Sequence, residues 1–148
     1  MNYWKWVAIV LTVLALGGTV ALAVIPAPEK PPAQAGIPDL ISVGAPLSGA
    51  AVASPLVVSG SARGNWYFEA SFPVKLLDAA GAVIAQTPAQ AHPPAGGDWM
   101  TTDFVPFSAT LTFPAQPPGS RGMLVLHNDN PSGDPAHDRE LDIPVVFK

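Results

Sequence analysis

The chain contains no cysteine, which excludes disulfides, thiolate metal centres and cysteine nucleophiles together. Charge is also scarce: seven Lys and Arg stand against eleven Asp and Glu, for a net charge of −4. No basic cluster occurs anywhere along the chain, so the electrostatic footprint of a nucleic-acid binder is missing. The strained Gly-x-Ser-x-Gly turn of a serine hydrolase is absent, and Ser59-Gly-Ser61 reads as a strand end and turn. Beyond residue 25 there is no helical apolar period, and no internal repeat is visible. With no catalytic set, the expectation is a non-enzymatic protein that needs no cofactor and no metal.

What is present begins with an uncharged apolar run from Trp6 to Ile25. Its ~20 residues are enough to cross ~30 Å of hydrocarbon as a helix, so residues 1–25 are expected to form a transmembrane anchor. The rival reading is a cleaved signal peptide, because Ala21-Leu22-Ala23 fits the small-x-small pattern. A signal h-region is normally only ~7–15 residues, which favours the anchor. Tyr3, Trp4 and Trp6 suit the membrane interface, and Lys5 biases the N-terminus towards the cytoplasm. Residues 26–36, with Pro26, Pro28, Pro31 and Pro32, read as an extended spacer, which leaves residues 37–148 as an extracytoplasmic domain.

Thirteen Gly and eighteen Pro favour short strands and turns in that domain. The richest stretch is Arg63–Leu76, where Trp66, Phe68, Ala70, Phe72, Val74 and Leu76 alternate with more polar residues. Period-two alternation predicts one long half-buried strand, with a bulge or bend at Pro73 and a hairpin back to a strand over Pro55–Ser61. Phe107, Ala109, Leu111 and Phe113 give the clearest alternation of all, and Leu141, Ile143, Val145 and Phe147 the last. Further strands are expected over Ile37–Val43, Ala82–Thr87 and Arg121–His127, with a short edge segment over Trp99–Val105 and a long loop over Pro88–Gly97. Seven or eight short strands without helices predict an all-β, immunoglobulin-like antiparallel sandwich preceded by one transmembrane helix.

The motifs Pro46-x-x-Gly49-x-x-Val52-x-Ser54-Pro55-Leu56 and Val58-x-Gly60-x-Ala62-x-Gly64-x-Trp66-x-Phe68-Glu69-Ala70 carry a family likeness. Downstream stand Asp78-x-x-Gly81, Trp99, Phe104-x-x-Phe107, Gly122-x-Leu124-x-Leu126 and Asn130-Pro-Ser-Gly133. Together they resemble the immunoglobulin-like domain associated with bacterial spore germination proteins. The resemblance spans about residues 37–147 and implies a bacterial, extracytoplasmic β-sandwich without an established catalytic role.

Four candidate sites emerge from the residues. Glu69, a carboxylate amid aromatics, is either an acid or base with a raised pKa or an outward side chain paired with Arg63 or Lys75. Tyr67 and Trp99 are the plausible exposed aromatics for stacking a sugar or peptide, with Trp66 in the core. Asn128-x-Asn130-x-Ser132-Gly133 is similar to the start of a calcium loop, but its twelfth position is Arg139, so a turn held by Asx hydrogen bonds is preferred. Asp134, His137 and Asp138 are cation ligands only in the weakest sense. If strand directions alternate, the connections Ala62–Asn65, Pro88–Pro106 and Asn128–Arg139 emerge at one end. They would gather Arg63, His92, Asp98, Trp99, Asp129, Asp134, His137 and Asp138 into one binding surface. The partners so implied are the membrane, through the N-terminal helix, and either an envelope protein or a cell-wall polymer; the alternative to a protein-binding module is a carbohydrate- or peptidoglycan-binding one.

Overall fold

The computed structural model describes residues 37–148, and the expected anchor and spacer lie outside the described residues. Among the described residues no helix is long and apolar enough to cross a membrane. Eight strands form instead: β1 Ile41–Ala45, β2 Ala51–Val52, β3 Leu56–Arg63, β4 Ser71–Leu77, β5 Val83–Ala91, β6 Phe104–Leu111, β7 Arg121–His127 and β8 Glu140–Phe147. They hydrogen-bond in the order β1-β3-β6-β5-β4-β7-β8-β2, a single curled sheet. All pairings are antiparallel except β2 with β8, which is parallel over two residues.

The curl produces two facing layers. One holds β1, β3 and β6, the other β4, β7 and β8, and β5 passes between them: it pairs with β4 from Ser71–Gln90 to Leu77–Val83 but with β6 only at Gln90 and Ala91. Alternating apolar residues meet in the middle. Phe72 of β4 packs edge-on against Phe107 of β6 at 4.9 Å between ring centroids, and Phe113 against Phe147 at 5.7 Å. Val58, Val74, Leu76, Leu111, Leu124 and Leu126 fill the space around them, all essentially inaccessible to water.

The expected long strand over 66–76 is broken. Its alternation holds in β4, where Phe72, Val74 and Leu76 are buried, and fails before it, where Tyr67 is buried and Phe68 is 40% exposed. Gly64–Trp66 form a 3-10 turn, and a tight turn follows, closed by a Phe68–Ser71 bridge with Glu69 and Ala70 both left-handed, at φ 51° and 60°. Two consecutive left-handed residues reverse the chain, which no extended strand allows. The expected β3–β4 hairpin is likewise absent. β3 pairs with β1 and β6, while β4 pairs with β5 and β7, so the 64–70 segment crosses from one layer to the other.

Pro73 introduces no bulge, because it sits opposite Pro88 of β5 and the register shifts only between Leu76 and Leu77. The β4–β7 ladder starts at Val74 and the β5–β6 ladder at Gln90, so neither proline faces a further strand that would require its missing N–H. β5 therefore continues through Pro88 to Ala91 and shortens the expected loop. The expected edge segment at 99–105 is strand only from Phe104 onward, as the start of β6.

Candidate functional site

Strand register determines where the connections emerge. Ile41 at the start of β1 lies opposite Ala62, and Arg63 at the end of β3 lies opposite Phe104 at the start of β6. Gln90 and Ala91 end β5 beside Ser71, Ser108 and Phe107, and His127 at the end of β7 faces Glu140 at the start of β8. The turn at 37–40 and the connections 64–70, 92–103 and 128–139 thus share one pole of the sheet.

Main-chain bonds knit them together. Gly64 N donates to Thr101 O at 3.0 Å, and Asp129 N donates to Trp66 O at 3.1 Å. Only glycine fits at 64, because a Cβ there would run into the carbonyl oxygens of Trp99 and Thr101 and lie 2.7 Å from Thr101 N. Arg63 adds side-chain ties: Nε donates to Asp39 O at 2.6 Å, Nη1 to Thr102 O at 2.7 Å, and the guanidinium lies over the Phe104 ring at 4.4 Å. Its charge is engaged in holding two loops to the pole, and it offers little to a ligand.

The 128–139 loop is closed at its neck by Asn128, a buried amide whose Nδ2 donates to His137 O at 3.0 Å and whose Oδ1 accepts from Arg139 N at 2.7 Å. Within it Asn130 Nδ2 donates to Asp134 O and Asp138 Oδ1, both at 2.8 Å, and Asn130 Oδ1 accepts from Ser132. Asp134 Oδ1 caps the Pro135–His137 turn by accepting from Ala136 N at 2.9 Å. Asp134, His137 and Asp138 therefore shape the loop, and among the described residues no three His, Asp or Glu side chains converge as metal ligands do.

The remaining expected site residues divide. Tyr67 is a correction: its ring is 4% exposed and lies 5.4 Å from Phe72, and its hydroxyl donates to Val105 O at 2.7 Å. Burial pushes its phenol pKa well above the ordinary value, so it remains neutral. No Tyr67–Trp99 stacking platform exists at the surface, and Trp99 is itself half-buried against the core. Glu69 is exposed at the tip of its turn and forms no ion pair with Arg63 or Lys75, since among the described residues the only acid–base contact within 4 Å joins His137 to Asp134 at 3.9 Å. Asp98 Oδ1 accepts from Met100 N at 3.1 Å in the 92–103 loop. His92 turns back onto the strands, where Nε2 meets Ser108 Oγ at 2.7 Å.

Between the 64–68 turn and the 128–139 loop lies a groove of about 360 Å³. Leu40, Trp66, Phe68 and Pro131 supply its apolar surface, and Asn65, Asn128, Asp129 and Arg139 its polar surface. Trp66 is 1% exposed, and its buried Nε1 has no hydrogen-bond partner. Phe68, Met100 and Phe104 are large apolar side chains left exposed around this pole. Phe68 escapes a sequence reading because it sits in phase with the core alternation, and Asn128, expected as the first residue of an Asx-held turn, instead closes the neck of the whole loop.

An all-β unit of two facing layers, with its longest loops gathered at one pole, defines an immunoglobulin-like domain. The chain belongs to the family of the immunoglobulin-like domain of bacterial spore germination, which matches residues 40–134. No curated protein and no solved structure matches the chain.

Proposed function

We propose that the chain is a non-catalytic interaction module of the bacterial cell envelope, linked to germination through its family, that holds an envelope protein at the loop pole. In this reading residues 6–25 are a single-pass anchor in the cell membrane and residues 26–36 a spacer, with the domain outside the cytoplasm. The observation that carries it is the convergence of the 64–70, 92–103 and 128–139 segments at one pole, where the first and last line a groove with exposed Phe68 in its wall and the 92–103 segment leaves Met100 exposed. Water-exposed aromatic and Met side chains are characteristic of the anchoring positions of protein interfaces.

The test uses the full chain as bait against a bacterial envelope extract and, in parallel, purified cell-wall polymer, with Phe68→Ala/Met100→Ala as the matched variant. The expected result is an envelope protein retained by the parent and lost by the variant. Polymer binding that the variant leaves undiminished would overturn the reading. Alkaline carbonate is expected to leave the protein in the membrane pellet, whereas a soluble product beginning near Val24 would contradict the anchor.

A further inference from the structure

We infer that the shallow groove on the outer face of β4 and β5 receives a tryptophan or tyrosine side chain of the partner, with its ring on the paired Pro73 and Pro88 and its N–H or O–H on the Asp129 carboxylate. This rests on the chain being a protein-interaction module, and it names the side-chain class that such a module holds beside the Trp66 groove.

Strand register builds the floor. Ala91 N donates to Ala70 O at 2.8 Å, so Ser71 and Gln90 form a pair with no hydrogen bond between them. Two residues further along the ladder, Pro73 and Pro88 are another pair of that type, in which side chains approach most closely. Both lie on the face opposite buried Phe72 and Val74, with Pro88 exposed and Pro73 half-buried, so two pyrrolidine rings abut on the outside of the sheet. The β4–β7 ladder begins only at Val74, which leaves the other flank of Ser71 and Pro73 unpaired with β7. A groove of about 430 Å³ opens there, lined by the two prolines, Ser71, Gln86 and Asp129.

The second observation is which polar groups stay free. In the 128–139 loop Asn128, Asn130, Asp134 and Asp138 are spent on the loop's own bonds. Asp129 differs. Its main-chain N–H ties the loop to Trp66 O, but among the described residues its carboxylate accepts no hydrogen bond and has no cation within 4 Å. Arg139 is nearby in the Trp66 groove, yet its Nη1 is given to Ala136 O and Asp138 O.

A flat apolar floor beside one free carboxylate selects among side chains. Tryptophan and tyrosine combine a broad apolar body with a single polar donor, and a carboxylate is the stronger kind of acceptor for it. Phenylalanine and leucine lack the donor. Arginine and lysine would bring a charge to a face where Lys75, opposite Gln86 and the next outward residue on β4, already balances Asp129. Asp129 also lines the Trp66 groove, so the two grooves share a wall and one partner can occupy both.

The test titrates the ¹⁵N-labelled full chain with acetyl-Gly-Trp-Gly-amide and its Tyr, Phe and Leu counterparts, and separately with a tetramer of N-acetylglucosamine. The Gln86 side-chain amide, identified by its loss in Gln86→Glu, is the reporter. A ring stacked on the prolines is expected to shift it upfield and saturably, with the Trp and Tyr peptides binding more tightly than Phe and the Leu peptide and the sugar without effect. Pro88→Ala and Asp129→Ala are each expected to weaken Trp binding about three- to tenfold, the first by removing half the apolar floor and the second by removing one hydrogen bond. Only Asp129→Ala should erase the preference for Trp and Tyr over Phe, and Thr110→Ala on the outer face of β6 should change nothing. Neither groove residue belongs to the core, and the Tm of each variant, compared with the parent, reports that the fold is kept. A Gln86 amide that stays still, a Trp preference that survives Asp129→Ala, or an equal response to the sugar would overturn the proposal. If Phe68→Ala/Met100→Ala loses its envelope partner while no aromatic peptide moves Gln86, the interaction module stands and the aromatic anchor is rejected.

Discussion

Replacing Gly64 by alanine probes the joint that assembles the pole. The added methyl meets the carbonyl oxygens of Trp99 and Thr101, which are main-chain atoms and cannot swing aside as a side-chain tip does. Either the 99–103 segment is forced outward or the 64–66 turn distorts, and overpacking of this kind destabilises by about 1–3 kcal/mol. Moving the segment also breaks the Gly64 N to Thr101 O bond, worth about 1 kcal/mol net, and loosens the Arg63 contact to Thr102 O. The two contributions overlap, so the expected loss is about 2–4 kcal/mol, or roughly 8–15 °C in Tm for a domain of this size. Thermal unfolding measures it, and Trp99 emission shifted to the red would show the indole moving from its half-buried site into water. Gly81→Ala is the control, because Gly81 is left-handed at φ 82° with open space around its Cβ position, so only the ~1–2 kcal/mol backbone penalty applies and Trp99 is untouched. A Gly64→Ala protein with unchanged Tm and unchanged Trp99 emission would refute the idea that these two loops form one rigid surface.

Other substitutions test the core and the electrostatics. Phe72→Ala removes a ring that packs against Trp66, Tyr67 and Phe107 and is expected to destabilise by about 3–5 kcal/mol, a large fraction of the about 5–15 kcal/mol usual for a domain, as read by denaturant unfolding. Leu111→Ala, at a buried position opposite Leu56, should lose about 2–5 kcal/mol, and a much smaller loss would mean that the faces of β6 are reversed. Ala70→Gly relieves a left-handed alanine and is expected to stabilise by about 0.5–1 kcal/mol, whereas destabilisation would show that the turn is not held in that conformation. Burial and then the neighbouring Asp142 raise the Glu140 carboxyl above the ordinary value, against the opposing charges of His127 and Lys75. The folded state therefore holds this proton more tightly than the unfolded one. Its contribution is present below the unfolded pKa and lost as pH rises through the folded one, so Glu140→Gln should raise Tm at pH 7 and match the parent below about pH 4.

Much of the fold can be read from alternation, because burial on one face leaves a period of two wherever a strand is regular. The buried rows of β6 and β8 follow directly from Phe107–Phe113 and Leu141–Phe147. The errors fall where alternation continues by coincidence through a turn. Trp66 and Phe68 keep the phase of β4, yet Trp66 ends a 3-10 turn and Phe68 is followed by two left-handed residues, Glu69 and Ala70, with no glycine or Asn-Gly at those two positions to announce the reversal. Tyr67 was legible as an amphipathic side chain but not as a buried one, since the Val105 carbonyl that satisfies its hydroxyl comes from a strand 38 residues away. The shared pole follows from strand parity, while the groove depends on the bonds from Gly64 to Thr101 and from Asp129 to Trp66, which no local pattern encodes.

The most direct measurement of the pole's role is site-specific photo-crosslinking in living cells, with a benzoylphenylalanine at position 68 or at position 83. Phe68 lines the groove and Val83 lies at the opposite end of the sheet, and both are exposed enough to capture a neighbour. Adducts to an envelope protein from position 68, with none from position 83, are the expected result. Adducts from position 83 alone, or equally from both, would contradict the assignment of the interaction surface to the loop pole.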